Sequence, residues 1–353
     1  SRKVGAFGLG AWGEFAEADN RRDNAGAQRL IGGVRSDWLS GDHRLSFSAR
    51  YFEDSLGVPG PVPEAGYVPL YGSAESNSLT SRQEDQNYSL DLQYRYFNKA
   101  VGEAQVDLFW EKKNLDYRTR YAYWSDYTMT DSSVNPPQTW QITDSLDTQT
   151  RTIYNKRSAG INARYLRDLG PVAVAGGVDW LSGSLRTSNT DLNTGRNFSG
   201  PYAPFDYDFA NFTYWGAGQN QFDLWGNTRW AVAAPVELDL SGRVQFVHDR
   251  EAQPSYNAGV IVTPLTNLRL KLGYAYAFRL PTIAEQFADD VFTAGNADLN
   301  PETARTVAAT VSYDPVTAVR SRLTLFRQEV DSLIQYQWDP SIFRSVPRNF
   351  EKF

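Results

Sequence analysis

The 353-residue chain has no cysteine, one methionine and only two histidines, His43 and His248. The missing cysteines exclude a disulfide framework and thiolate metal sites, and the scarcity of imidazole removes His-cluster metal centres and most triads. His248 stands beside Asp249, but no nucleophile in a recognisable turn accompanies the pair, so no catalytic residue is assigned. Long apolar runs are absent too: nothing approaches the roughly 18 residues that would let a helix cross a bilayer. That excludes helical spans and leaves a barrel open, because alternating strands never build a long apolar run. Positive charge is also short. A net charge of −6 and a pI near 5.2 leave no global basic surface for nucleic acid.

What the chain does have is aromatic residues, 14% of the total, and period-2 alternation from end to end. Tyr88, Leu90, Leu92, Tyr94 and Tyr96 alternate with Ser89, Asp91, Gln93 and Arg95. Ala104, Val106, Leu108 and Trp110 alternate with Glu103, Gln105, Asp107 and Glu111, and Leu268, Leu270, Leu272 and Tyr274 alternate with Arg269 and Lys271. The pattern predicts about 13 strands, near 5–16, 27–38, 43–53, 86–97, 102–113, 151–166, 171–184, 220–232, 236–249, 255–263, 268–279, 303–314 and 319–336. Connectors alternate between tight turns and long loops at 17–26, 54–85, 114–150, 185–219 and 280–302. Apolar and charged faces, short turns on one rim, long loops on the other and rings toward strand ends describe an all-β, antiparallel transmembrane barrel of the outer-membrane type. Charged Asp91, Arg95, Glu103, Asp107, Asp239, Arg243 and Lys271 should then face the lumen, and outer-membrane lipid should bathe their apolar neighbours.

The stretch Tyr274–Ile334 reads Y-A-Y-A-F-R-L-P-T-I-A-E-Q-F, then G-N-A-D-L-N-P-E-T, then R-L-T-L-F-R-Q-E-V-D-S-L-I. It resembles the barrel of TonB-dependent outer-membrane receptors at Phe278, Arg279, Pro281, Gly295, Asn296, Leu299, Pro301, Glu302, Asp331, Leu333 and Ile334. Gly177-Val178-Asp179-Trp180 after a short turn, with the order of strands and loops, looks most like the cobalamin receptor branch. The resemblance implies a barrel of about 22 strands closed by an N-terminal plug. Residues 1–353 would form part of that barrel, with the plug and the C-terminal strands lying outside them. It also implies capture of cobalamin for energised uptake through the inner-membrane TonB complex, without enzymatic chemistry. The alternatives are a ferric-siderophore receptor of the same family and a passive porin.

Two groups of residues are candidate binding elements. Rings interleaved with Asn, Asp and Ser in the loops 114–150 and 185–219 offer contact area to a bulky, partly apolar ligand, foremost Tyr121, Tyr123, Trp124, Tyr207, Tyr214 and Trp215. At the first hairpin tip, Asp19, Asp23 and Asn24 are hard oxygen donors for Ca²⁺. The cobalamin receptors carry calcium-binding acidic residues in this loop, but Ala25 stands in place of a carboxylate and Arg21 and Arg22 add repulsive charge. The signature segment around Gly295 and Pro301 is expected to turn the chain rather than to touch ligand.

Overall fold

A computed structural model describes residues 2–4, 6–60, 73, 76, 78–134, 136–197, 205–248, 250–290, 292–316 and 319–351, with side chains except at 2–4, 122–127, 129, 131, 142–146, 194–197 and 205–209. Fourteen strands form one sheet whose spatial order is the chain order. They are β1 (Arg2–Val4), β2 (Phe7–Ala18), β3 (Ala27–Ser40), β4 (His43–Gly57), β5 (Arg82–Asn98), β6 (Gly102–Asp131) and β7 (Gln138–Asp168). β8 (Val172–Asn197), β9 (Phe205–Ala233), β10 (Val236–Val247), β11 (Gln253–Leu265), β12 (Leu268–Arg279), β13 (Glu302–Val316) and β14 (Val319–Asp331) complete it. A separate hairpin pairs β15 (Leu333–Asp339) with β16 (Arg344–Phe350), and a one-turn helix α1 (Ile283–Phe287) lies between β12 and β13. Every pairing is antiparallel between chain neighbours, as an up-and-down wall requires.

The registers carry each face across the sheet. One continuous row runs Asp37, Ser46, Gln93, Asp107, Asn162, Asp179, Asp223, Gln245. The next row, on the opposite face, runs Leu45, Tyr94, Val106, Ala163, Val178, Leu224, Val244. Asp91, Arg95, Glu103, Asp107, Asp239, Arg243 and Lys271 share the polar face, in agreement with the alternation. A cavity of about 640 Å³ lies on that face, lined by Asp107, Asn162, Arg164, Asp179 and Arg243 among others. Among the described residues the buried apolar set is confined to Trp215, Val247, Ile261, Ala288, Leu299 and Ile334. The apolar mass instead points outward, with Leu224 53% and Leu272 58% exposed. In water each such side chain would forgo about 25 cal/mol per Å² of burial. In hydrocarbon the same surface is already in its preferred solvent.

Three expectations from the sequence are corrected. The segments 114–150 and 185–219 are mostly strand: β6, β7, β8 and β9 run 30, 31, 26 and 29 residues, where a tilted membrane strand needs about 9–11. Their outer halves stand clear of the bilayer, so neither face meets lipid and the apolar alternation that marks a half-buried strand is lost. Thr and Tyr, the residues paired there, still favour strand. The expected strand 319–336 breaks at Ser332, whose φ of 59° ends β14 before β15 begins. The terminal residues after β14 form a hairpin that weak alternation concealed.

Candidate functional site

The candidate site lies on the inner face of the tall wall formed by β6–β9. Its rungs run Leu115, Tyr154, Thr187, Trp215, then Tyr117, Thr152, Asn189, Thr213, then Thr119, Thr150, Asp191, Asn211, then Tyr121, Thr148, Asn193. Each rung is one β-ladder step beyond the last, about 7 Å along the strand. Thr187, Asn189, Asp191, Asn193 and Trp215 are all buried. Thr152 Oγ1 donates to Asn189 Oδ1 at 2.8 Å, and Asn189 Nδ2 donates to Asp191 Oδ2 at 3.0 Å. Thr187 Oγ1, Asp191 Oδ1, Thr213 Oγ1 and Trp215 Nε1 have no hydrogen-bond partner. A buried polar ladder with uncommitted donors and acceptors beside an indole and phenols offers both hydrogen bonds and ring surface.

The predicted rings divide between two faces because adjacent strand residues point oppositely. Tyr121 is half-buried on the inner face and Trp215 is buried there, whereas Tyr214 turns outward and is 67% exposed. Tyr123, Trp124 and Tyr207 lie on strands at the rim, paired with Leu146, Ser145 and Gly195, and their side chains lie outside the described residues. Sequence reasoning gathered the rings by loop membership. It missed Thr187, Asn189 and Asp191, which carry no motif and gain meaning only from alternation read across β7, β8 and β9.

At the first hairpin tip Asp19 and Asp23 are exposed, and Asn24 adopts the left-handed conformation with φ 55°. Asn24 Nδ2 donates to the carbonyls of Ser78 and Ser81, each at 2.8 Å, and Arg22 Nη2 donates to the carbonyl of Gly60 at 2.6 Å. These bonds staple the first tip to the second. Among the described residues no three Asp, Glu or His side chains gather as a cation site. The Asn24 amide nitrogen thus serves as a tie between loops.

The signature residues assemble into one knot above β12 and β13. Arg279 donates twice to Glu302, from Nε at 2.6 Å and Nη2 at 2.7 Å, and twice to Glu285, at 3.0 and 3.2 Å. Glu302 Oε1 also accepts from the backbone N–H of Ile334 at 2.7 Å, reaching into β15. Thr282 caps α1: Glu285 N–H donates to Thr282 Oγ1 at 3.1 Å, and Thr282 N–H donates to Glu285 Oε2 at 2.7 Å. Burial alone would raise the Glu285 carboxyl. The hydrogen bonds from Arg279 and Thr282 outweigh it and hold the group below the ordinary carboxylate value. Asn296 Nδ2 donates to the carbonyl of Pro347 at 3.1 Å, while Asn349 accepts from Asn300 N–H at 2.9 Å and donates to its carbonyl at 3.0 Å. A Cβ at Gly295 would stand 2.7 Å from the backbone of Gln286 and Ala288, so only glycine fits the approach. The motif ties the hairpin β15–β16 to the sheet.

A lower knot lies in the cavity of the polar face. Arg243 forms a close ion pair with buried Asp223, which also accepts from Gln221 Nε2 at 2.8 Å, and Asp179 lies 3.9 Å from the same guanidinium. Buried ions of this kind persist only when paired.

A family model described as "TonB dependent receptor-like, beta-barrel" matches residues 16–351. Solved structures that share the fold include the copper transporter OprC, 14% identical with a TM-score of 0.64, covering 97% of this chain and 52% of that one. P. aeruginosa FpvA bound to a heterologous pyoverdine with iron is 11% identical with a TM-score of 0.61, covering 98% and 48%. The ferric-catecholate import receptor Fiu from E. coli K12 is 13% identical with a TM-score of 0.58, covering 98% and 56%. The chain thus spans about half the length of these structures. No curated protein matches it.

Proposed function

Because the chain belongs to the TonB-dependent receptor β-barrel family, we propose that it forms the wall of an outer-membrane transporter. That transporter captures a scarce metal-bearing nutrient at its outer rim and moves it inward with energy from the inner-membrane TonB complex. The observation that carries this reading is the inner face of β6–β9 above the bilayer, where a buried polar ladder and the Tyr117, Tyr121 and Trp215 rings stand together. A metal chelate presents both polar ligand atoms and apolar rim, so it suits such a mixed surface. The similar structures named above are a copper transporter, a receptor bound to a pyoverdine with iron and a ferric-catecholate import receptor, which favours a ferric siderophore; cobalamin, implied by the resemblance at Gly177-Val178-Asp179-Trp180, is the second cargo.

The deciding measurement is equilibrium binding of cobalamin and of a panel of ferric siderophores to the full-length receptor. It is repeated after excision of 120–149, which rejoins paired Thr119 and Thr150, and of 191–211, which rejoins paired Thr190 and Phe212. The true cargo should lose at least about tenfold in affinity, equivalent to ~1.4 kcal/mol. Unchanged affinity after both excisions would place binding in the lumen. Uptake that persists when the TonB complex is disrupted would favour a passive porin.

A further inference from the structure

The tall strands β6–β9 outgrow their neighbours, so their wall has two borders above the bilayer. Pairing of β5 with β6 stops at Arg118, and pairing of β10 with β9 stops at Gln221. Beyond those points each border strand has no strand on its outer side. Proteins blunt such edges with charge, proline or a bulge, because bare N–H and C=O groups recruit another backbone. The β6 border is blunted: it carries Arg118 and Arg120, and the Arg120 N–H donates to Ser81 Oγ at 2.9 Å. The β9 border is not. From Ala210 to Phe222 it holds neither a charged residue nor a proline, and no register shift interrupts its pairing with β8.

Which groups lie bare follows from the last contact with β10, where the Asn220 carbonyl accepts from the His248 N–H at 3.4 Å. In an antiparallel ladder the N–H and C=O of one residue point to the same side, and the side alternates along the chain. Ala210, Phe212, Tyr214, Gly216 and Gly218 therefore aim their backbone groups at the open side, while the residues between them bond to β8. α1 lies beside β9, yet among the described residues neither it nor any other segment gives these five a backbone hydrogen bond on that side. Gly216 and Gly218 leave the outward side of the edge without side chains, which suits close approach of a second backbone. On the inward side the same strand presents Thr213 Oγ1 and Trp215 Nε1, both buried and without a hydrogen-bond partner.

We propose that the β9 edge Ala210–Gly218 is the recognition strand for a cargo with a peptide backbone: a metal chelate whose amides extend the sheet as an added strand, with Thr213 and Trp215 bonding its inward-facing groups. The assignment rests on the uptake reading above and narrows its cargo. Only a chain that enters the mouth of the barrel meets the bare edge and those two inward groups together, which favours cargo over a protein docked outside. The open stretch is ~26 Å at about 3.3 Å per residue, room for a short linear peptide. Strand addition draws its affinity from main-chain bonds, so the side chains of the peptide stay free to hold the metal.

The test uses the full-length receptor and two ferric probes: a linear hexapeptide bearing hydroxamate side chains that chelate Fe³⁺, and the same peptide N-methylated along its backbone. The unmethylated probe should bind at least about tenfold more tightly, equivalent to ~1.4 kcal/mol. It should also slow amide hydrogen exchange at Phe212, Tyr214, Gly216 and Gly218, while Thr213, Trp215 and Ala217 exchange slowly with or without it. Gly216→Pro, which removes an N–H that the β8 ladder does not use, should lose about as much affinity as N-methylation, and Gly216→Ala, which keeps that N–H, should retain most of it. The exchange measurement needs no substitution, so it decides the matter whatever Gly216→Pro does to assembly. Equal affinity for the two probes, or saturation by the unmethylated probe without protection of the four amides, would overturn the assignment; other ferric chelates that still bind and enter would leave the uptake reading standing. Equally tight binding of the iron-free peptide would also overturn it, giving the edge to peptide segments without metal. Failure of both probes, of the siderophore panel and of cobalamin to bind would remove the uptake reading and this assignment together.

Discussion

Arg279 shows how much one side chain can organise in this molecule. Its guanidinium holds Glu302 at the head of β13 and Glu285 on α1 at once, and Glu302 passes the constraint on to Ile334 in β15. Without the arginine two carboxylates with little solvent access would face each other, and the segment 280–301 would lose its anchor. The knot is also acid-sensitive in a defined direction. The folded form of Glu285 titrates below its ordinary value, so the unfolded state binds protons first as pH falls. The stabilisation is complete above the ordinary glutamate pKa of about 4.3 and is lost as pH drops from there through the depressed folded value. Limited proteolysis of the 280–301 segment should run at a constant rate between about pH 8 and 5 and accelerate toward pH 3. The variant Arg279→Ala should be fast throughout. A rate in the wild type that changes near pH 7 would contradict this assignment of the titrating group.

At the scale of single strands the decisive quantity is which face meets hydrocarbon. Val178 and Asn162 lie on neighbouring strands at one depth but on opposite faces: Val178 pairs with Ala163 in the apolar row, and Asn162 pairs with Asp107 and Asp179 in the polar one. An arginine at mid-depth on the lipid face costs about 2–4 kcal/mol, whereas in the lumen it would stand among carboxylates. Val178→Arg should therefore lower the unfolding free energy of the receptor in lipid, read from urea titration, by that amount, and Asn162→Arg should change it by less than about 1 kcal/mol. Equal losses would mean the two faces had been exchanged. The outer halves of β6–β9 follow another rule. Beyond the bilayer the strands are held by their ladder and by cross-strand threonines and tyrosines, and polar residues of the inner face pack as a buried ladder.

Taken whole, the described sheet is a continuous meander with two borders, β1 and β14, that pair with no strand on their outer sides. Unpaired backbone groups in hydrocarbon cost several kcal/mol each, so the two borders must be covered by strands or by another copy. The 353-residue chain expressed alone and refolded in detergent should appear as oligomers by light scattering coupled to size exclusion. A monomer that shifts on heating, as closed barrels do, would show that β1 and β14 can meet and close a smaller barrel.

Much of this architecture was legible in the residues themselves. Alternation fixed β5, the lower half of β6 and β12 with their faces, because inside a bilayer one face must be apolar and the other need not be. The three ordered pieces around Arg279, Glu302 and Ile334 carried the family resemblance, and the hydrogen bonds that join them belong to the tertiary structure. Tertiary structure alone decided the rest. Strand extensions at 114–150 and 185–219 read as loops because, outside the lipid, neither face is selected for hydrophobicity and the period disappears from the sequence. Likewise, Thr187, Asn189 and Asp191 become one buried ladder with Trp215 only through register. Which residues of separate strands stand side by side is set by pairing across the sheet, and no single segment records it.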